Sequence, residues 1–126
     1  MKTIQFFATL GFVAGYFHEN QSHEAQPVNE VARIWQQKAA EVYAESQIYI
    51  GAVCSLSQTV YHQDWGCPEG GEITVSITGT CNPLYTSTEH YKATTEEVLK
   101  RCALALQQST AQVTFIEVDF TYLDFR

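Results

Sequence analysis

From Val28 to Val42 the apolar residues recur at spacings of three and four, and from Ile48 to Leu56 they recur at every second position. A chain that switches between these periods must bury a helix stripe against a sheet face. Pro27 opens the first segment, where its missing N–H has no helical partner to lose. Val28, Val31, Trp35, Ala39 and Val42 form one stripe, with Glu30, Arg33, Gln37, Glu41 and Glu45 on the other side. This predicts a helix ending near Ser46. Gln47–Thr59 then reads as a strand, with Ile48, Ile50, Ala52, Cys54 and Leu56 on one face and Tyr49, Gly51, Val53, Ser55 and Ser57 on the other.

Tyr61–Gly71 is a loop carrying Gly66, Pro68, Gly70 and Gly71. Glu72–Thr80 alternates again, so the two strands form a hairpin with a long connection. Cys81–Ala93 is a second loop. Thr94-Thr95-Glu96-Glu97 has the pattern of a capping box, and the helix after it buries Val98, Leu99, Cys102, Ala105 and Leu106, stopping near Gln108 or Ser109. Gln112–Phe125 is β-rich, but Val113 and Phe115 are out of phase with Ile116, Val118, Phe120 and Tyr122. A bulge near Phe115-Ile116 and a bend near Tyr122-Leu123 are therefore expected. The resulting class is an α+β two-layer sandwich of three or more mainly antiparallel strands with two helices on one face. Counting strands from Gln47 onward, the expected order is 2-1-3, which resembles half of a ferredoxin-like split unit. The open face carries Tyr49, Val53, Ser55, Thr74 and Thr78.

Residues 1–15 read as a signal peptide. Lys2 supplies the positive charge, Phe6, Phe7, Leu10, Phe12 and Val13 the apolar stretch, and Ala14 and Gly15 the small cleavage residues. Residues 16–26 read as a flexible polar leader and 27–126 as one domain. Secretion suits the four cysteines, Cys54, Cys67, Cys81 and Cys102, as disulfides. No two lie close enough for the paired spacing of a zinc site. Cys54–Cys67 and Cys81–Cys102 are the preferred pairs, because the rival pairing makes Cys67 reach the far end of a strand. Asn20-Gln21-Ser22 is a glycosylation sequon at Asn20. The expected location is extracellular.

Formal net charge is -7, and Lys100-Arg101 is the only basic pair. That balance argues against nucleic acid and against membrane insertion. Chemistry is hard to find. No G-x-S-x-G elbow is present. A Cys67–His62 pair would need a free thiol, and Asp64, Glu69, Glu117 and Asp119 read as solvated surface charge. His18 and His23 belong to the leader. Neither a metal, a cofactor nor a catalytic residue is assigned. Binding surfaces remain. Tyr61, His62 and Trp65 gather aromatic groups on one loop, either as exposed anchors or with Trp65 turned inward to cap the core. Phe120, Tyr122 and Phe125 lie on an expected edge strand, open to a protein partner or to a second copy of the chain.

The opening Met1-Lys2-Thr3-Ile4-Gln5-Phe6-Phe7-Ala8, the four cysteines, and the pieces Gly66-Cys67-Pro68, Cys81-Asn82-Pro83 and Arg101-Cys102 together resemble small secreted effectors of plant-associated fungi. The likeness is to the secreted-in-xylem type and, in layout, to killer-toxin-like effectors. It implies a non-enzymatic interaction protein acting on a host or companion effector protein. A small secreted toxin or antimicrobial protein, and a secreted enzyme of unrecognised type, are the alternatives.

Overall fold

The structure is a computed structural model and describes residues 1–11 and 26–126. The expected cleavage site at Ala14 and Gly15, His18, the Asn20 sequon, His23 and most of the expected leader lie outside the described residues. The elements are β1 (Lys2–Leu10), α1 (Pro27–Ser46), β2 (Val53–Thr59), β3 (Glu72–Thr80), α2 (Thr88–Ala105) and β4 (Gln112–Asp119), with a short 3₁₀ turn at Gln63–Trp65. This is an α+β arrangement in which one four-stranded antiparallel sheet, ordered β2-β3-β1-β4, is backed by two helices. The βαββαβ order is the complete ferredoxin-like one rather than half of it.

The fourth strand is the segment expected to be a signal. Lys2–Leu10 lies inside the sheet and pairs with β3 from Gln5↔Thr80 to Leu10↔Val75, and with β4 from Lys2↔Asp119 to Thr9↔Gln112. Phe6 and Leu10 are completely buried. Phe6 stacks on Trp35 at 5.8 Å between ring centroids and meets Tyr91 at 6.2 Å. A short apolar run behind one lysine fits a leader and a buried strand equally well, since both need unbroken hydrophobicity. β1 lies between the hairpin and the last strand, and β3 rather than β2 is the hairpin strand that faces it, so the expected 2-1-3 order, with the last strand beside the first, does not form.

Local rules account for most of the rest. α1 buries Val31, Ile34, Trp35, Ala39 and Val42 and closes on Gln47, which takes the left-handed conformation and donates its N–H to Tyr43. Residues 47–52 approach the core without pairing. Ile50 is buried there, and its carbonyl accepts from the Trp35 indole at 2.9 Å. α2 starts six residues before the expected capping box, at Thr88, with Ser87 accepting from the His90 N–H. Thr94 and Thr95 are mid-helix instead, donating back to the His90 and Tyr91 carbonyls. β4 runs in unbroken register along β1, with no bulge. Its two apolar phases serve two faces. Val113 and Phe115 pack toward the core, while Ile116 lies on the uncovered face. β4 ends at Asp119, so the expected strand over residues 120–125 is absent.

The four cysteines are free. Cys81 and Cys102 are fully buried and Cys54 half-buried, the first two as members of the core and the third packed against it. Cys67 is buried under its own loop. The expected Cys54–Cys67 and Cys81–Cys102 disulfides are not formed. A core with Phe6 and Leu10 in it is larger than one built from residue 27 onward, and it takes in Cys81 and Cys102 as packed side chains.

Candidate active site

A cleft of about 670 Å³ opens where all four strands reach one end of the sheet. Phe7, Thr9 and Gly11 come from β1 and the residue after it, Thr59 from the end of β2 and Tyr61 from just beyond it, Glu72 and Thr74 from the start of β3, and Gln112 and Thr114 from β4. The hairpin loop brings Tyr61 and Glu72 together. Gly70 and Gly71 both take positive φ, 83° and 92°. A Cβ on Gly71 would lie 2.8 Å from the Thr59 carbonyl oxygen, so only glycine lets the chain pass there and place Glu72 opposite Thr59. The Cys67 thiol accepts from the Tyr61 N–H at 3.4 Å and holds the loop inward at the same point. The cysteine read as half of a disulfide is thus a pin beside the cleft.

Glu72 supplies the negative charge of the cleft. Desolvation, the Glu72 charge, Cys67 and hydrogen bonding with the Glu72 side chain raise the Tyr61 phenol above the usual tyrosine value. The phenol therefore stays protonated and polar at neutral pH. Behind this pair Thr74 is buried, and its Oγ1 lies 2.9 Å from both Ser57 Oγ and Thr59 Oγ1. Among the described residues lining the cleft there is no lysine, arginine or histidine. A site with a carboxylate, a phenol, hydroxyls and no cation favours a positively charged or neutral polar ligand.

Of the sequence candidates, Tyr61 belongs to this cleft. His62 and Trp65 do not. They turn outward, with Trp65 77% exposed, the two rings 5.7 Å apart, and His62 Nδ1 accepting from the Asp64 N–H. Phe120 returns to β1 by hydrogen bonds with Met1, and Tyr122 and Phe125 are exposed beyond the sheet. Glu72 was missed. Its signal was available in sequence: a single carboxylate opening a strand otherwise made of Ile, Thr, Val, Ser and one Gly, directly after two glycines. Among the described residues no group of three or more His, Cys, Asp and Glu side chains could hold a metal, and no helix is long and apolar enough to cross a membrane.

Fold and cleft together define a small ferredoxin-like α+β protein with an open cleft at one end of its sheet. A family model described as SAM lyase matches residues 1–124, and the chain belongs to that family. Two solved structures share the fold. A phage SAM lyase in complex with S-methyl-5'-thioadenosine is 13% identical at a TM-score of 0.59, with 91% of this chain and 81% of that one covered. A phage SAM lyase in its apo state is 14% identical at a TM-score of 0.56, with 92% and 81% covered. No curated protein matches the sequence.

These findings correct the earlier expectations. The chain belongs to an enzyme family, so the non-enzymatic interaction protein is withdrawn, and with it the fungal-effector and killer-toxin-like resemblance. The toxin alternative falls with them. Secretion is withdrawn too, because the likeness is to phage SAM lyases and the supposed signal is an inner strand of the sheet. The resemblance rested on a layout shared by many small proteins and on tripeptides that carry no chemistry.

Proposed function

We propose that this chain cleaves S-adenosylmethionine at the bond between sulfur and the γ-carbon of its amino-acid arm, releasing S-methyl-5'-thioadenosine. The family match over residues 1–124 carries the reading. The cleft supports it by its chemistry. A sulfonium cation is held by a carboxylate and by the face or hydroxyl of a phenol, and Glu72 with Tyr61 offers both. The net charge of -7 draws a cation toward the protein.

The electron count needs no water and no oxidant. The S–Cγ bonding pair goes to sulfur, which becomes a neutral thioether. The substrate's own carboxylate oxygen attacks Cγ as that bond breaks and closes a five-membered lactone. An attacking carboxylate must not be tied up by a cation, and none of the described residues lining the cleft is basic. The work of the site is then to fold the substrate so that oxygen and carbon meet in line, which is an orientation effect.

The test is incubation of the purified protein with S-adenosylmethionine in water enriched in ¹⁸O, followed by mass spectrometry. The thioadenosine product with an unlabelled lactone is expected. Later opening of the lactone puts label into the carboxyl group. Label in the γ-hydroxyl from the first turnover means direct hydrolysis and overturns the lyase reading, as does the absence of the thioadenosine product.

A further inference from the structure

We propose that Thr74 is a positioning residue for the Tyr61 and Glu72 pair, acting through Thr59; the proposal rests on the lyase reading above. Thr74 stands on the sheet face that the helices leave uncovered, yet it is only 4% exposed. Its direct partner across the hairpin is Ser57, and the partner of Glu72 is Thr59. The Thr74 hydroxyl meets both Ser57 and Thr59 at 2.9 Å. One hydroxyl therefore braces β3 diagonally to the end of β2, two residues before Tyr61.

The charge of Glu72 gives the brace a direction. Thr74 has one proton and two lone pairs, so it can donate to one hydroxyl neighbour while accepting from the other, or accept from both. If Ser57 donates to Thr74 and Thr74 donates to Thr59, the Thr59 proton is left over on the side of Glu72. The Glu72 charge favours that polarity over the reverse, because aligned donors stabilise a carboxylate. Thr74 thus fixes where Thr59 sits and which way its hydroxyl points, and through Thr59 it sets the carboxylate that meets the sulfonium.

The test uses the whole chain and a set of single and double variants. Thr74→Val keeps the shape and removes the hydroxyl. It should raise KM for S-adenosylmethionine by about fivefold, the effect of one lost hydrogen bond, with kcat unchanged within about twofold. Thr74→Ser should restore KM. Thr59→Val should reproduce Thr74→Val. In a Glu72→Gln background Thr74→Val should add nothing, because the group being positioned is gone. Multiplying effects, or an unchanged KM in folded Thr74→Val, overturns the proposal. An ultraviolet titration of Tyr61, taken as the difference from Tyr61→Phe, gives a reading that does not depend on turnover. Thr74→Val should lower the phenol's ionisation toward the ordinary tyrosine value, and no movement refutes the brace. If the wild type makes no thioadenosine product the lyase reading fails by itself, while this titration still tests the brace.

Discussion

Replacing Glu72 by glutamine keeps its size and removes its charge, and the sign of the charge change in the reaction fixes what should follow. The sulfonium starts positive and ends neutral. A carboxylate beside it stabilises bound substrate more than the transition state, where the positive charge is already fading. Glu72 should therefore assist capture rather than the bond-breaking step. Two unit charges at about 4 Å attract by about 1 kcal/mol in bulk water and about 4 kcal/mol near a protein surface. Glu72 is exposed. A value of about 2 kcal/mol follows, or a rise of about 30-fold in KM, with kcat changed by no more than about threefold. The assay is chromatographic measurement of the thioadenosine product over a range of S-adenosylmethionine concentrations, at low and high salt. Salt should raise the wild-type KM by more than that of Glu72→Gln, which keeps only the attraction of the remaining net charge. A fall of about 100-fold or more in kcat with KM unchanged would refute this reasoning. It would mean that Glu72 removes a proton in an elimination.

Three further outcomes are expected. Phe6→Ala removes a fully buried ring stacked on Trp35, so it should destabilise by about 3–5 kcal/mol and lower the urea midpoint at constant slope; an unchanged midpoint would mean Lys2–Leu10 is dispensable. Burial raises the thiols of Cys54 and Cys81, and carries that of Cys102 to about 12, so the folded state holds protons that the unfolded chain releases from about pH 8.5. Urea melts should show this contribution intact below that pH and lost as pH rises toward 12, and the buried thiols should resist a thiol reagent until the protein unfolds. Gly71→Ala should destabilise the hairpin and raise KM together, because its Cβ meets the Thr59 carbonyl at 2.8 Å and φ is positive; normal KM in a stable variant would separate Gly71 from the site.

Helix α1 and strand β3 were legible because each has one dominant period. The α1 stripe and the alternation of Glu72–Thr80 survive almost residue for residue. Three features were not legible, each for a physical reason. Lys2–Leu10 is hydrophobic without being diagnostic, and only pairing on both sides distinguishes an inner strand from a leader. The cysteines obey burial rather than oxidation, since a free cysteine packs as a small apolar side chain. The site was hidden because its two main groups are eleven positions apart in sequence and meet only when the hairpin closes over Gly71. Tyr61 was singled out together with His62 and Trp65 because the three are neighbours in the chain. In space Tyr61 faces the cleft and the other two face solvent.

The reaction's charge balance also bears on how the protein would let go of its product and avoid damage by its substrate. Under the proposed function Glu72 would attract the sulfonium, but the thioether left after cleavage is neutral, so the main electrostatic hold would disappear in the step that makes product. Substrate and product share the adenosine part and differ in charge at sulfur, which makes a carboxylate in the cleft a discriminator between them. The same sulfonium is an alkylating electrophile, and the nucleophile it threatens is a thiolate rather than a thiol. Cys54, Cys81 and Cys102 have raised pKa values through burial and remain thiols at neutral pH. Cys67, the one cysteine beside the cleft, is buried beneath the loop and occupied with the Tyr61 N–H. The cysteines that first suggested an extracellular, cross-linked protein are free thiols largely withdrawn from the surface, and under the proposed function that placement would protect them from alkylation by the substrate.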